Sequence, residues 1–335
     1  MRHFIIAGVL VILTAVLTYA GLMAVKLMPV EASAQSIPID WLWNLEMGTI
    51  SFLFALIFVP IVYSLVVFRR KKGDVTDAQH VEGNTTLEVT WTIVPLFLVV
   101  IFAYLGAYTL GETRKVDPNA MVIKVTGFQW AWKFEYPDYG FSSDELHLPV
   151  NRQVLLQMTS PDVIHSFWVP EFRIKQDVVP GRITEYRITP ILIGNYKVRC
   201  AELCGISHAY MEGPVMVVSQ ADFDSWAAKQ KAAAAAVTEG PEAGRAAAQS
   251  LGCFACHTVD GSKLVGPTWR GLYGSQVKLA DGTTVTADDN YIKQSILEPS
   301  SQVVFGFSPM SFNAEAVGVT DQQIKNIIEY LKTLK

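Results

Sequence analysis

Cys200-Ala201-Glu202-Leu203-Cys204-Gly205-Ile206-Ser207-His208-Ala209-Tyr210-Met211 is the stretch on which the reading of this 335-residue sequence turns. It sets two thiols, an imidazole and a thioether within one loop's length. A second imidazole stands upstream in Ser160-Pro161-Asp162-Val163-Ile164-His165-Ser166-Phe167-Trp168. Thiolate and thioether are soft ligands, and a Cys/His/Met set is the vocabulary of electron-transfer copper. A mononuclear blue site needs one cysteine. A second thiolate in the same loop lets both sulfurs bridge two copper ions, each capped by one histidine. Two other readings use the same residues: a Cys₂His₂ zinc site, which leaves Met211 without a role, and a Cys200–Cys204 disulfide. The sequence around these segments has the period of strands. Residues 121–126, 153–159, 183–189 and 214–218 are short, rich in β-branched side chains and divided by Gly, Pro and Asp, which predicts a β-sandwich or barrel over 111–226. His147, in Leu146-His147-Leu148-Pro149, has no ligand-type neighbour and reads as a core or surface histidine.

Toward the N-terminus the composition changes. Residues 4–25, 48–68 and 89–110 are apolar and carry no charged side chain, and each reaches the roughly 20 residues that span a bilayer core. The last two predict a transmembrane helical hairpin within 35–110. Arg69, Arg70, Lys71 and Lys72 open the loop between them, which places that loop in the cytoplasm and everything after residue 110 outside it. The segment 1–34 has two readings. Arg2, an apolar run and Ala32-Ser33-Ala34 before Gln35 resemble a signal peptide, yet the run is longer than the ~7–15 residues of a signal core and suits an extra transmembrane helix. Pro95 inside the third window predicts a kink unless a neighbour compensates. The formal net charge is only −4, and without a long basic stripe a nucleic-acid partner is excluded.

Beyond the barrel, an alanine-rich linker over 227–240 precedes Pro241, a residue suited to the first position of a helix. Cys253-Phe254-Ala255-Cys256-His257 follows. This C-x-x-C-H pattern is the signature of covalent haem c attachment, with His257 as an axial ligand. Met310, in Ser308-Pro309-Met310-Ser311-Phe312, is the one methionine after it and offers the second axial ligand of a carrier haem. All four cysteines fall in these two tight clusters, unlike a disulfide framework.

Five motifs carry a resemblance. They are residues 87–95, Gly127-Phe128-Gln129-Trp130-Ala131-Trp132-Lys133-Phe134-Glu135-Tyr136, His165-Ser166-Phe167-Trp168-Val169-Pro170, Asp177-Val178-Val179-Pro180-Gly181-Arg182, and the Cys200 loop. On them, residues 38–220 resemble subunit II of the haem–copper cytochrome c oxidases. Residues 241–335 resemble a class I cytochrome c domain through C-x-x-C-H, Gly266-Pro267-Thr268-Trp269 and a Thr320-capped amphipathic C-terminal helix. The resemblance implies a multidomain membrane protein: a transmembrane hairpin, an all-β cupredoxin-like barrel and an all-α cytochrome c domain. It implies a dinuclear CuA centre held by His165, Cys200, the Glu202 carbonyl, Cys204, His208 and Met211. It further implies magnesium at the side chain of Glu202, shared with subunit I; Trp130 as the residue through which electrons arrive; and Glu88 at the mouth of a proton channel. The plainer readings are strand packing for Trp130 and a solvated carboxylate for Glu88.

The expected activity is that of a proton-translocating cytochrome c oxidase whose oxygen-reducing site lies on another subunit. Electrons pass from the tethered haem c to CuA and on to the haem of subunit I. Expected partners are subunit I, other membrane subunits and an external donor: a mobile cytochrome c, a small copper protein or a docked complex. The expected location is the bacterial inner membrane, multi-pass, with the C-terminal domains periplasmic or extracellular. A nitric-oxide or nitrous-oxide reductase subunit, a copper-free quinol-oxidising relative and a copper chaperone are the alternatives. The complete ligand set argues against the second, and the attached haem against the third.

Overall fold

The computed structural model describes residues 1–77, 80, 82–236, 239–310 and 312–335. Two units emerge, one of residues 1–31 and 35–115, the other of 32–34 and 116–335.

The first unit is three helices long and apolar enough to cross a membrane. They are α1 (Arg2–Ala24), α2 (Ser36–Val67) and α3 (Thr85–Thr113). Apolar side chains surround each helix instead of forming a stripe, which is the pattern of helices facing hydrocarbon. The seam between α1 and α2 is built from Val11, Ala15, Ala55 and Val59, small residues that let helices approach closely. At one end His3 Nδ1 lies 2.8 Å from the Tyr63 hydroxyl. Helix α3 runs on through Pro95. It starts at Asn84, whose side chain accepts the Leu87 amide, an N-cap that satisfies an otherwise orphaned donor.

In the second unit two five-stranded sheets face each other. The strands are β1 (Met121–Phe128), β2 (Ala131–Tyr136), β3 (Phe141–Ser143), β4 (Leu146–Pro149), β5 (Val154–Thr159), β6 (His165–Val169), β7 (Ile174–Val178), β8 (Thr184–Ile188), β9 (Gly194–Cys200) and β10 (Glu212–Val218). The sheet orders are β3-β2-β1-β5-β8 and β4-β10-β9-β6-β7. The pairings β1–β5 and β10–β4 are parallel, and the others antiparallel. Alternate residues such as Ile123, Val125, Phe134, Leu156, Phe167 and Val215 are sealed inside, as the two-residue period of a strand requires. Ala32 and Ser33 are fully buried against this barrel. Ser33 bridges Pro190, and the Ala32 amide donates to the Glu171 carbonyl.

Helix α4 (Gln220–Ala236) contains the alanine-rich run. Its first turns are not a free spacer: Phe223 and Ala227 belong to the barrel core. Trp226 lies parallel to His147 at a ring separation of 3.9 Å, so His147 is a buried core residue. The expected boundary between barrel and linker, at 226/227, falls inside this helix; Val237 and Thr238 of the linker lie outside the described residues.

The C-terminal part holds α5 (Pro241–Ser250), a hairpin of β11 (Gln276–Lys278) and β12 (Thr284–Thr286), α6 (Asp289–Leu297), α7 (Ala314–Val317) and α8 (Asp321–Thr333). Pro241 occupies the first turn of α5, and Thr320 with Gln323 forms a capping box on α8. The hairpin is an addition to an otherwise helical domain, its turn made by Gly282 at φ +90. Helices α5 and α8 cross at Gly244, where a Cβ would lie 1.8 Å from the Asn326 carbonyl oxygen.

Candidate copper and haem sites

Strand topology explains why residues far apart in sequence meet. Because β1 and β5 are parallel, both end at the same edge of the barrel. A short loop then leads from β5 into β6, which begins at His165. Strand β9 is antiparallel to β6, with Phe167 opposite Cys200, so β9 ends where β6 begins. The Cys200 loop therefore closes over His165.

The geometry within this loop is specific. Cys200 Sγ is 3.8 Å from His165 Nδ1 and 3.7 Å from Cys204 Sγ. Cys204 Sγ is 3.5 Å from His208 Nδ1 and 3.8 Å from Met211 Sδ. The Glu202 carbonyl oxygen lies 3.2 Å from Cys200 Sγ. All six expected donors thus converge, and the nearest ligand atoms of His165, Cys200 and Cys204 lie within 4.8 Å of one another. Both cysteines are free, and their sulfurs stand well beyond the roughly 2.05 Å of a disulfide. The loop is clipped shut by backbone bonds, the Cys200 amide on the Met211 carbonyl and the Ala201 amide on the Ser166 carbonyl, each 3.0 Å.

Electrostatics favour one thiolate, on Cys200, sharing a proton with the Cys204 thiol. Hydrogen bonding with Cys204 draws the Cys200 thiol far below the ordinary range against the cost of burial, and His165 adds to the effect. The same bond holds the Cys204 proton in place. Burial opposes the charged form of His165, but the bond to Asp162, then Cys200, outweighs it and raises its pKa. Asp162, which the sequence motifs do not single out, stands behind His165. Its Oδ1 lies 2.8 Å from His165 Nε2, fixing the ring so that Nδ1 faces the sulfurs. Such carboxylates behind ligating histidines are common, so an acid three positions before His165 was the available signal. The Gln129 amide donates to Asp162 Oδ2 at 2.7 Å. The side chains of Gln129 and Trp130 both donate to the Cys204 carbonyl, at 2.5 and 3.2 Å. Trp130 is only 7% exposed. The set fits two copper ions: two facing sulfurs, one imidazole beside each, and a thioether and a carbonyl on opposite sides. A four-coordinate zinc ion would leave two donors surplus.

In the C-terminal domain Cys253 and Cys256 are half-buried around the single 3₁₀ turn Cys253–Ala255. Burial pushes their thiols up to about 12 and about 11. His257 Nδ1 lies 2.8 Å from the Pro267 carbonyl, which leaves Nε2 for iron, and burial lowers its pKa toward the neutral, ligating form. The ring stacks near Trp269 at 5.3 Å. Gly266 is required there, since a Cβ would sit 2.7 Å from His257 Cε1. The arrangement fits a covalently held haem on the Nε2 side. Met310 is half-buried in the segment joining α6 to α7, and Ser311 beside it lies outside the described residues.

Glu202 has an exposed side chain. In the other unit Glu88 is exposed in the first turn of α3, where its carboxylate accepts the Asn84 amide at 3.4 Å.

Comparison with known proteins agrees across the chain. Residues 20–107 match the family described as cytochrome c oxidase subunit II, transmembrane domain. Residues 141–220 match its periplasmic domain, and 241–335 match cytochrome c. Cytochrome c oxidase subunit 2 of Alkalihalophilus pseudofirmus is 32% identical over 284 residues, covering 81% of this chain and 80% of that one. The Synechocystis protein of the same name is 33% identical over 249 residues, covering 60% and 75%. A crystal structure of the periplasmic domain of subunit II of cytochrome oxidase from Bradyrhizobium japonicum is 34% identical, covers 36% of this chain and 96% of its own, and has a TM-score of 0.33.

Proposed function

This chain belongs to the cytochrome c oxidase subunit II family and carries a fused cytochrome c domain; on that premise we propose which of its residues hold and route the electrons. It is a subunit of a bacterial membrane haem–copper oxidase, associated with other oxidase subunits, with its C-terminal domains on the periplasmic side. When bound, copper and haem c supply one-electron carriers between an external donor and the oxygen-reducing subunit I.

His165, Cys200, the Glu202 carbonyl, Cys204, His208 and Met211 hold the dinuclear CuA centre. The observation that carries this reading is the convergence of these six donors about a sulfur–sulfur separation of 3.7 Å. Asp162 orients His165 by holding the Nε2 proton. Gln129 and Trp130 fix the Cys204 carbonyl, and Trp130 is the residue through which electrons reach the centre. Cys253 and Cys256 bind the haem covalently, His257 offers Nε2 as one axial ligand and Met310 its thioether as the other. The exposed Glu202 side chain is available to magnesium at the boundary with subunit I. Glu88, exposed at the start of α3, serves the mouth of a proton channel in subunit I. The donor is a mobile cytochrome c, a small copper protein or a docked complex.

The test is optical and EPR spectroscopy with metal analysis on the purified chain, and turnover measured on the oxidase assembled with it. Two coppers and one low-spin haem per chain are expected, and His208→Ala or Met211→Leu should disturb the purple copper absorption and abolish turnover. Turnover that survives the loss of copper would overturn the route.

A further inference from the structure

We propose that the β11–β12 hairpin is a clamp on the segment that delivers Met310, and that Lys278, Ala280 and Phe305 are positioning residues for its thioether. The inference rests on the reading of Met310 as an axial ligand and deepens it, by naming what keeps that ligand in place.

Met310 stands in residues 298–313, the connection between α6 and α7, which forms no helix and no strand of the sheets described above. Connections beyond roughly 12–15 residues without structure of their own are uncommon unless they serve a function. A thioether held by such a segment would lose, on every binding, the entropy of ordering the chain around it. The hairpin supplies that order in advance. Val304 pairs antiparallel with Leu279. The Ala280 amide donates to the Val303 carbonyl at 2.8 Å, and the Phe305 amide to the Lys278 carbonyl at 2.9 Å. Residues 303–305 are thus laid along β11 as a third strand. Lys278 Nζ stands 4.8 Å over the Phe305 ring and holds it there. The clamp is itself rooted, because Val277 and Leu279 are buried in the haem-domain core, against which Val304 also packs. Just beyond the paired residues, the Phe307 amide turns back onto the Val304 carbonyl through Gly306 at φ +85. The chain then leaves the strand for Ser308-Pro309-Met310. On the far side of Met310, Phe312 packs on the same core. The methionine therefore hangs between two anchors, and the hairpin makes the upstream one. Residues 276–286 hold no His, Cys or Met, so the hairpin acts through the segment it grips and not as a source of ligands.

Imidazole binding to the oxidised haem of the full chain, followed by stopped-flow absorbance, reads the clamp, because imidazole enters only when the thioether leaves. Ala280→Pro and Phe305→Pro each remove one donor of the added strand. Each should speed imidazole binding about 3–10-fold, the population change expected for one lost backbone hydrogen bond. The far-red absorption of thioether-bound ferric haem should weaken and the reduction potential fall in step. Gln276→Ala breaks a side-chain bond to Thr286 within the hairpin and should leave all three readings native. Native rates in both proline variants overturn the proposal, as does an equal acceleration by Gln276→Ala. If a proline variant loses its attached haem or its helical circular dichroism, Lys278→Ala and Phe305→Ala decide instead. They remove only the ring contact and should speed binding about 2–5-fold; native rates in both overturn the clamp. Met310→Ala separates the two readings. An unchanged oxidised spectrum in that variant defeats the ligand assignment and the clamp with it. A lost far-red band there, beside native imidazole rates in the clamp variants, defeats the clamp alone.

Discussion

Asp162→Asn probes how much of the copper site is built behind its ligands. The carboxylate receives His165 Nε2 at 2.8 Å and the Val163 amide at 2.6 Å on Oδ1, and the Gln129 amide at 2.7 Å on Oδ2. All three partners act as donors once Nδ1 of His165 is turned to copper. An asparagine keeps the shape but offers one acceptor oxygen, so its NH₂ must face a donor on one side. If Gln129 loses its acceptor, the link to the Cys204 carbonyl loosens; if His165 does, the ring is free to turn. A lost hydrogen bond to a charged group costs about 1.5–3 kcal/mol. That agrees with the roughly 10–100-fold loss of metal affinity found when partners behind ligands are removed. The assay is competition for copper between the purified chain and a chelator of known affinity, followed by the copper absorption and EPR. A weakening of about 10–100-fold is expected, with the metal-free barrel melting within a few degrees of the native one. An affinity within about twofold of native, with an unchanged spectrum, would refute the positioning argument.

Gly244→Ala puts a methyl group into the Asn326 backbone at the α5–α8 crossing. It should destabilise the haem domain by at least about 1–3 kcal/mol, read by thermal melting and by the yield of attached haem. Phe223→Ala empties a fully buried position where α4 meets the barrel. A loss of about 3–5 kcal/mol in denaturant unfolding of the barrel is expected, and an unchanged midpoint would show that α4 does not support it. Asp289 has its carboxyl held below the usual range, first by the Tyr273 hydroxyl and then by Lys332. A lowered folded pKa means the contribution is full above the unfolded value of about 3.9 and is lost as pH falls through the folded value. Asp289→Asn should therefore lower stability at neutral pH by no more than about 1 kcal/mol in an exposed network, read as a lower melting temperature, and change nothing in strong acid.

Both sites were legible in the sequence because their chemistry is packed into short spacings. Cys200 to Met211 is one loop, and Cys253 to His257 one turn. The three apolar windows became α1, α2 and α3, and four predicted strand segments became β1, β5, β8 and β10. What the sequence hid depends on contacts between distant segments. The run from Ala227 reads as a spacer by its alanines, yet it continues a helix that Phe223 and Trp226, three residues apart on one face, anchor among Tyr136, Phe141 and His147, and Ala227 itself is buried in the barrel core. Asp162 looks like a turn residue after Pro161 until β6 sets His165 beside it. Gly252 and Gly266 look like ordinary turn glycines until the groups that crowd them are in place.

These hidden contacts are also the ones a carrier needs most. A centre that gains and loses an electron quickly must keep one geometry in both states, so its ligands must be held by something other than the metal. Here segments 128–130, 160–165 and 200–211 come from different parts of the chain and are tied to one another by hydrogen bonds between protein groups. Gln129 is the knot: its backbone N–H grips the carboxylate that holds His165, and its side chain grips the carbonyl of Cys204. Its neighbour Trp130 shares the second of those bonds. The residue read as the electron relay is thus built into the same hydrogen-bond frame as His165 and Cys204, two of the proposed copper ligands. Any motion that loosened the relay would also disturb the ligands, and the barrel edge that prevents one prevents both.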